Sequence, residues 1–448
     1  MTTATVPAPA ATDADSVVYR RVAWRIIPFL FLCYIVAFLD RVNVGYAKLQ
    51  MAGDLKFSDE IYGLGAGMFF IGYFFFEVPS NLILERVGAR VWIARILILW
   101  GIISASFMYV EPISRLLGVE TATGFYLLRF LLGMGEAGFF PGIILYLTYW
   151  FPSEYRNRMT ATFMSAVPLT GVLGGPVSTW IMKTFAGTHG LAGWQWLFLV
   201  EGVPAVILGF ATLIYLDDGP KTAKWLSQPD RELVLANLVR DQAAKDGMAG
   251  HHGFLPSLGD YRVWVLTVVY FCFALGVYSV TLWLPQSLRD TGVKDIVTIG
   301  FLSSIPYAVA GVAMLANGKH SDATMERRWH VATPAILAGV GLALGANAAG
   351  SLAIVLVAFS LALGALLSGV SAFWSLPTAF LSGTAAAGGI ALINSFGNLG
   401  GFVGPYIIGL SKQYLGSQSV GLYIVAAFLF GAAVLIVAVF KKVPRPPS

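Results

Sequence analysis

Apolar residues in this chain come in long runs separated by short polar turns. Twelve runs can be drawn, at approximately 23–45, 60–84, 90–110, 124–149, 159–183, 195–216, 263–288, 296–318, 331–349, 352–380, 384–411 and 419–440. Each is of a length that crosses a hydrocarbon layer about 30 Å thick as a helix. The pattern predicts an all-α polytopic membrane protein with twelve transmembrane helices. One long polar segment, Asp217 to Tyr261, lies between the sixth and seventh runs. It carries Asp217-Asp218-Gly219-Pro220, an amphipathic stretch from Pro229 to Lys245 and the pair His251-His252. The expected organisation is therefore a tail of residues 1–22, a six-helix bundle of residues 23–216, a loop of residues 217–261, a second six-helix bundle of residues 262–441 and a tail of residues 442–448.

Composition sharpens this picture. Of 448 residues, 57% are hydrophobic and 12% charged, and the mean hydropathy is +0.73, outside the balance of a soluble domain. The net charge of +5 is spread over short loops and not gathered on a soluble face, which argues against nucleic acid as a partner. Cys33 and Cys272 fall within apolar runs as small hydrophobes, and two histidines beside a glycine make a poor ligand set, so neither a disulfide framework nor a metal site is expected. The first 19 residues hold no apolar core of signal-peptide type, so membrane targeting is expected to rest on the first run itself. With both termini inside, the inner side carries twenty basic residues and the outer side seven, counting Lys48, Lys56, Arg115, Lys183, Arg289, Lys294 and Lys412 as outer. This asymmetry predicts cytoplasmic termini in a cell inner membrane.

Charges inside the apolar runs are the candidate chemistry, because each costs ~2.5–3.5 kcal/mol near a bilayer centre even on lenient insertion scales. Arg129 and Glu136 lie in one run, Tyr126 to Tyr149, and seven residues separate them. That is two turns, about 10.5 Å along one helix face, so they share a face and meet through extended side chains or across a ligand. A structural ion pair between helices is the alternative reading. Asp40 and Arg41 end the first run; neighbours on a helix point about 100° apart, so one is expected to face a cavity and the other a packed neighbour. Tyr73 precedes Phe74-Phe75-Phe76, and Glu77 beside Pro79-Ser80-Asn81 reads as a gate or loop anchor. Glu201, among glycine and proline, reads as a structural bond to a neighbouring helix.

The second half is different. From Val263 to Leu288, Ile296 to Gly318, Val331 to Ser411 and Gln413 to Phe440 there is no Asp, Glu, Lys or Arg. It offers neutral partners such as Tyr278, Gln286, Ser371, Trp374, Asn394 and Asn398, suited to hydrogen-bonding hydroxyls or walling a site with an aromatic ring. A weak internal repeat relates the halves: Gly171-Val172-Leu173-Gly174-Gly175 is echoed by Gly397-Asn398-Leu399-Gly400-Gly401, and Pro141 by Pro377. Duplicated bundles with a site between them suit a carrier that rocks about its midplane.

The residues that carry a family likeness are Leu39-Asp40-Arg41-Val42-Asn43, Glu77-Val78-Pro79-Ser80-Asn81 through Glu85-Arg86-Val87-Gly88-Ala89-Arg90, Arg129 to Pro141, Gly193-Trp194-Gln195-Trp196 with Glu201-Gly202, and Gly389 to Asn394 through Gly404-Pro405. On these the chain resembles, over nearly its whole length, the anion:cation symporter family of the major facilitator superfamily, near its tartrate-type and phthalate-type permeases. The resemblance implies proton-driven uptake of carboxylates, with Asp40 and Glu136 as proton carriers. Arg41 and Arg129 would serve the substrate and tune the carboxylates, and Tyr73, Ser371 and Asn394 would line the site; Trp374 joins them as an aromatic wall. Two departures bear on mechanism. The loop after the second span has Glu85 where the family signature carries aspartate, and Gly174-Gly175-Pro176 is followed by Val177-Ser178-Thr179, unlike the antiporter pattern.

The expectation is thus a proton-coupled symporter for an organic anion, whether a tartrate-like hydroxy acid or dicarboxylate, a sugar acid or an aromatic carboxylate. It would work as a monomer in the lipid bilayer with the proton as coupling ion and no cofactor. An exchanger or a sodium-coupled carrier would use the same cavity. An intramembrane enzyme is disfavoured by the lack of a nucleophile–base pairing or a phosphate-binding glycine loop.

Overall fold

A computed structural model describes residues 13–248, 259–348, 350–377 and 383–440; His251 and His252 lie outside them. Among the described residues there is no strand. Away from water every backbone N–H and C=O must find its partner within the chain, which leaves the helix as the economical way through a membrane for these apolar runs. Twelve spans result: span 1 (Asp13–Asp54), span 2 (Asp59–Val87), span 3 (Ala89–Ser106, continued by a 3-10 turn and Val110–Leu117), span 4 (Thr121–Glu136 and Phe139–Thr148), span 5 (Ser153–Met164 and Ala166–Thr184), span 6 (Gly193–Tyr215), span 7 (Tyr261–Asp290), span 8 (Ile296–Thr324), span 9 (Trp329–Ala346), span 10 (Leu352–Phe373), span 11 (Gly383–Asn398 and Gly400–Leu415) and span 12 (Ser419–Val439). The amphipathic stretch of the long loop forms a helix over Gln228–Met248.

Ten of the spans are long and apolar enough to cross a membrane by themselves. Spans 5 and 11 are each built from two shorter helices, meeting at Ser165 and at Leu399. These two spans are six apart, and the same offset relates the packing. Span 2 lies on span 4 as span 8 lies on span 10; span 3 lies on span 6 as span 9 lies on span 12; span 1 lies on span 5 as span 7 lies on span 11. The two largest contacts between bundles, span 2 with span 11 and span 5 with span 8, exchange under the same operation, and the contact of span 1 with span 7 maps onto itself. The faint glycine repeat of the sequence sits on these interfaces. A Cβ on Gly300 of span 8 would come within 2.5 Å of the Gly175 carbonyl oxygen, and one on Gly63 of span 2 within 2.8 Å of the Pro405 carbonyl oxygen. Small residues let the backbones of opposite bundles touch, as membrane interfaces require where burial of apolar surface provides no net drive.

One end of the seam between the bundles is shut. Where span 1 finishes, the Tyr62 hydroxyl donates to the Leu282 carbonyl at 2.8 Å and Arg289 donates to the Leu49 carbonyl. The Lys48 ammonium lies 3.6 Å from the Trp283 ring centre and 2.6 Å from Asp59. Tyr414 of span 11 reaches Glu60 of span 2 at 3.0 Å. Toward the other end the contact of spans 2 and 11 passes through Phe74 on Phe396, with ring centres 5.0 Å apart, to Glu77 with Asn394 and Ser395.

Within the first bundle, spans 2 and 4 cross at Gly72 and Gly133. A Cβ on Gly133 would run into the Phe69 carbonyl oxygen and lie 2.9 Å from the Tyr73 amide nitrogen, and one on Gly72 would meet the Phe130 carbonyl. Gly133→Val is therefore expected to destabilise the protein by about 1–3 kcal/mol through overpacking. Gly431→Val, at a glycine with nothing within 4 Å, should leave stability unchanged. Thermal unfolding of both variants in detergent checks this, and equal midpoints would show that span 4 can draw back from span 2 without cost.

Candidate functional site

Asp40 and Arg41 leave span 1 in different directions, as adjacent helical positions must. Asp40 turns into the first bundle. It accepts from the Trp100 indole at 2.8 Å, the Ser104 hydroxyl at 2.8 Å and the Asn43 side chain at 3.2 Å, and is buried there. Arg41 turns to the seam. One guanidinium nitrogen binds Glu136 of span 4 and another donates to the Tyr278 hydroxyl of span 7 at 3.0 Å. The guanidinium carbon also lies 5.3 Å from the Phe69 ring centre and 5.5 Å from that of Tyr73. A single side chain thus touches both bundles.

Glu136 reaches Arg41 because span 4 breaks immediately after it. Ala137 leaves helical geometry at φ −54° and ψ 131°, and Gly138 follows in the left-handed region at φ 86°. Glycine is needed there twice over, for the backbone conformation and because a Cβ would strike Ser80. Ser80 is itself fixed by the Trp92 indole at 2.9 Å. The Glu77-Val78-Pro79-Ser80-Asn81 motif therefore packs against the interruption in span 4 that presents Glu136. Two buried atoms of the pair, Arg41 Nε and Glu136 Oε2, have no hydrogen-bond partner. Leaving such groups unmet costs about 1–3 kcal/mol each, so the pair is poised to accept a proton or an anionic ligand.

Arg129 does not meet Glu136. It is fully buried and donates to the carbonyls of Gly65 at 3.4 Å and Ala66 at 3.1 Å on span 2, with its guanidinium carbon 5.2 Å from the Phe69 ring centre. The residues of the second bundle are distributed as follows. Asn394 donates to one Glu77 oxygen, and the adjacent Ser395 hydroxyl donates to the other at 2.7 Å. Ser371 donates to the Ser368 carbonyl of its own helix at 2.8 Å. Trp374 packs on Tyr270 and Phe373, with ring centres 4.9 and 5.3 Å away. Of the residues singled out from sequence, the structure joins Arg41, Glu136, Tyr73 and Tyr278 in one cluster and puts Asn394 on Glu77 beside it. Asp40, Arg129, Ser371 and Trp374 have other neighbours. Glu201 accepts from Ser178 of span 5 at 2.7 Å.

Two features were not anticipated. Asp218, at the start of the long loop, accepts from the Arg90 amide at 2.9 Å and so caps span 3. It presses on Gly88, whose φ is +99°; the carboxylate serving this turn comes from the end of span 6, and Glu85 is exposed. Lys48, counted from sequence among the outer loop residues, is buried at the closed end. Its only sequence signal is its place three residues beyond Gly45, at the end of an apolar run. At the rim of the seam Lys183 of span 5 bonds Asp295 before span 8 at 2.7 Å, and with the Thr298 donors it holds that carboxyl down at about 2. Among the described residues no group of three or more His, Cys, Asp or Glu could hold a metal ion.

Known proteins resemble this chain in sequence and fold. The family model described as Major Facilitator Superfamily matches residues 30–405. A protein of Agrobacterium vitis named for tartrate transport is 49% identical over 434 residues, 97% of each chain. The metabolite transport protein NicT of Pseudomonas putida is 45% identical over 424 residues, 95% of this chain and 94% of its own. Among solved structures, the xylose transporter XylE from E. coli in a partially occluded inward open conformation superposes with a TM-score of 0.75 over 95% of this chain and 99% of its own, at 13% identity; at that identity the likeness is one of fold.

The two arginines should respond differently to substitution. Arg129→Lys gives up the two-carbonyl clamp on span 2, and its thermal midpoint is expected to fall by several degrees, since hydrogen bonds from a charged donor contribute ~1.5–3 kcal/mol. Arg41→Lys, which keeps a cation beside Glu136 and gives up only a bond to the neutral Tyr278, should change the midpoint less. Equal losses in the two variants would mean that Arg41 is a structural tie of the same kind as Arg129.

Proposed function

The chain belongs to the Major Facilitator Superfamily, and we propose that within it this multi-pass membrane transporter is a proton-coupled symporter importing an organic anion by alternating access of its two bundles. Tartrate-like hydroxy acids lead the candidate substrates, on the strength of the relative named for tartrate transport. The observation that carries the reading is the guanidinium of Arg41, shared between Glu136 of one bundle and Tyr278 of the other. Arginine stays charged and presents a planar fork that matches a carboxylate. In the structure Glu136 takes one nitrogen of that fork and Tyr278 another. A proton on Glu136 cancels its charge and frees Arg41 for a substrate carboxylate, so that proton and anion bind together. Tyr278, and the neutral donors around it, then engage the substrate from the second bundle. The inner-membrane placement with cytoplasmic termini rests on the twenty-to-seven excess of basic residues.

The energetics favour two protons per dianion. A net charge moved through 100 mV is worth ~2.3 kcal/mol, so a dianion entering with one proton would move against an inside-negative potential. With two protons the cycle is electroneutral, and each unit of pH difference contributes ~1.4 kcal/mol per proton. Glu136 supplies one proton site, and Asp40, next to Arg41 on span 1 but turned into the first bundle, is the second.

A thermal-shift screen of carboxylates on the purified protein selects the substrate, since a ligand that binds the folded state stabilises it by mass action. In proteoliposomes Glu136→Gln is then expected to lose accumulation driven by a pH gradient while keeping exchange of labelled for unlabelled tartrate. Accumulation retained in Glu136→Gln would remove that residue from coupling. Uptake driven by sodium without a pH gradient would replace the proton as coupling ion.

A further inference from the structure

Glu77 and Glu201 are the buried carboxylates, among the described residues, that this mechanism leaves unused; Glu201 bonds within its own bundle, whereas Glu77 reaches across the seam. It sits on span 2, one turn beyond Tyr73, with 3% of its surface exposed. Both of its oxygens are taken by the other bundle, one by the Asn394 side chain and one by the Ser395 hydroxyl of span 11. Both partners are neutral. The titratable and charged groups within electrostatic range are Tyr73 on its own helix, Arg41 on span 1 and Tyr270 on span 7, and Arg41 is already bonded to Glu136 of span 4. A carboxylate buried against two donors in this way reproduces, with side chains of the protein, the manner in which a polar site holds one end of an anion.

We propose that Glu77 is a coupling carboxylate at the seam, taking the place given above to Asp40 as the second proton site: it holds Asn394 and Ser395 as Glu136 holds Arg41, and a proton on Glu77 loosens span 2 from span 11 and gives those donors to the substrate. The chemistry follows from charge. Hydrogen bonds to an ionised carboxylate are roughly twice as strong as those to a neutral one, so protonation weakens both cross-bundle bonds in one step. Asn394 and Ser395 then offer an amide and a hydroxyl, donors suited to a hydroxy acid. The empty protein is in this sense self-occupied at both ends of its site, and a substrate with two polar ends displaces Glu136 at one and Glu77 at the other. The donor transfer rests on the symport reading; the latch between spans 2 and 11 does not.

The deciding experiment uses the full chain in lipid nanodiscs, without substrate. Spin labels on Leu82→Cys and Ala391→Cys, both exposed positions on spans 2 and 11, report the distance across the seam as pH is varied. In the unmodified background the wider population should grow several-fold on acidification. Glu77→Gln, a neutral isostere, should show the wide population at every pH, and Glu136→Gln should keep the pH response. Should Glu77→Gln fold poorly, Ser395→Ala removes a donor while sparing the carboxylate and should shift the population the same way. An unchanged titration in Glu77→Gln, or a response abolished by Glu136→Gln alone, overturns the proposal. A thermal-shift titration with tartrate adds the donor transfer: Glu77→Gln should bind severalfold more tightly at neutral pH than the unmodified protein, and equal or weaker affinity overturns that part. Tartrate that fails to bind the unmodified protein would count against the proposed substrate, while the distance measurement still decides the latch.

Discussion

A guanidinium withdrawn from water at the junction of two helix bundles has to be paired, and the pairing of Arg41 with Glu136 is the constraint on which the site depends. Meeting it dictates the local structure of three spans. Span 1 must turn Arg41 outward from its own bundle, which sends Asp40 to Trp100 and Ser104 on the far side. Span 4 must end its first helix at Glu136, which calls for Gly138 in the left-handed region. Span 2 must then leave room at that interruption, which it does with the small side chain of Ser80, next to Pro79. A motif of scattered residues in sequence thus answers to one pair of charges.

Close approach of backbones makes the pairing reachable. Gly72 and Gly133 let spans 2 and 4 touch, and Gly65 is pressed by the Phe125 ring. Arg129 clamps the same place through the carbonyls of Gly65 and Ala66. Both arginines lie near the Phe69 ring, one bonded to backbone carbonyls and the other to Glu136 and Tyr278. Whether an intramembrane arginine binds backbone or faces the seam is decided here by which helix surface it leaves, not by its residue type.

Hydropathy made the twelve spans legible, because a run of twenty apolar residues admits few other readings, and the charge asymmetry between halves was equally plain in the composition. The partners were not legible. Arg129 and Glu136 share a face on an unbroken helix, yet Glu136 closes its helix and bonds Arg41, ninety-five residues earlier in the chain. Arg129 and Glu136 both lie on the continuous helix Thr121–Glu136, so periodicity relates their faces correctly but cannot say which neighbouring helix each side chain meets. Ser371 has the composition of a ligand-binding residue, but a serine in a helix can bond its own backbone, and this one does. Glu77 was visible as a gate or anchor, whereas its partners lie more than three hundred residues away in sequence and no local pattern points to them. The glycine repeat, faint as text, gained meaning once its residues were seen where spans 5 and 11 meet the opposite bundle, Gly175 against Gly300 and Gly401 against Phe70.

The uneven distribution of charge follows from what the seam has to do. Separating a buried ion pair strands a charge at a cost of about 3–5 kcal/mol, and a carrier whose halves rock apart would meet that cost in every cycle if its ions were shared between bundles. Here the buried pair, Arg41 with Glu136, belongs to one bundle, and the other presents Tyr278, Asn394 and Ser395, which are neutral. Hydrogen bonds between a charged and a neutral group contribute ~1.5–3 kcal/mol each, so each can be exchanged for a bond to a ligand with little residue of energy. The ion pair that does cross, Lys183 with Asp295, has side chains 60% and 45% exposed, where such pairs contribute only ~0–1 kcal/mol. A second half emptied of charge is therefore not a site left unfinished. On the proposed alternating access, it is the condition under which the two bundles could part and rejoin around a buried charge without leaving that charge unpaired.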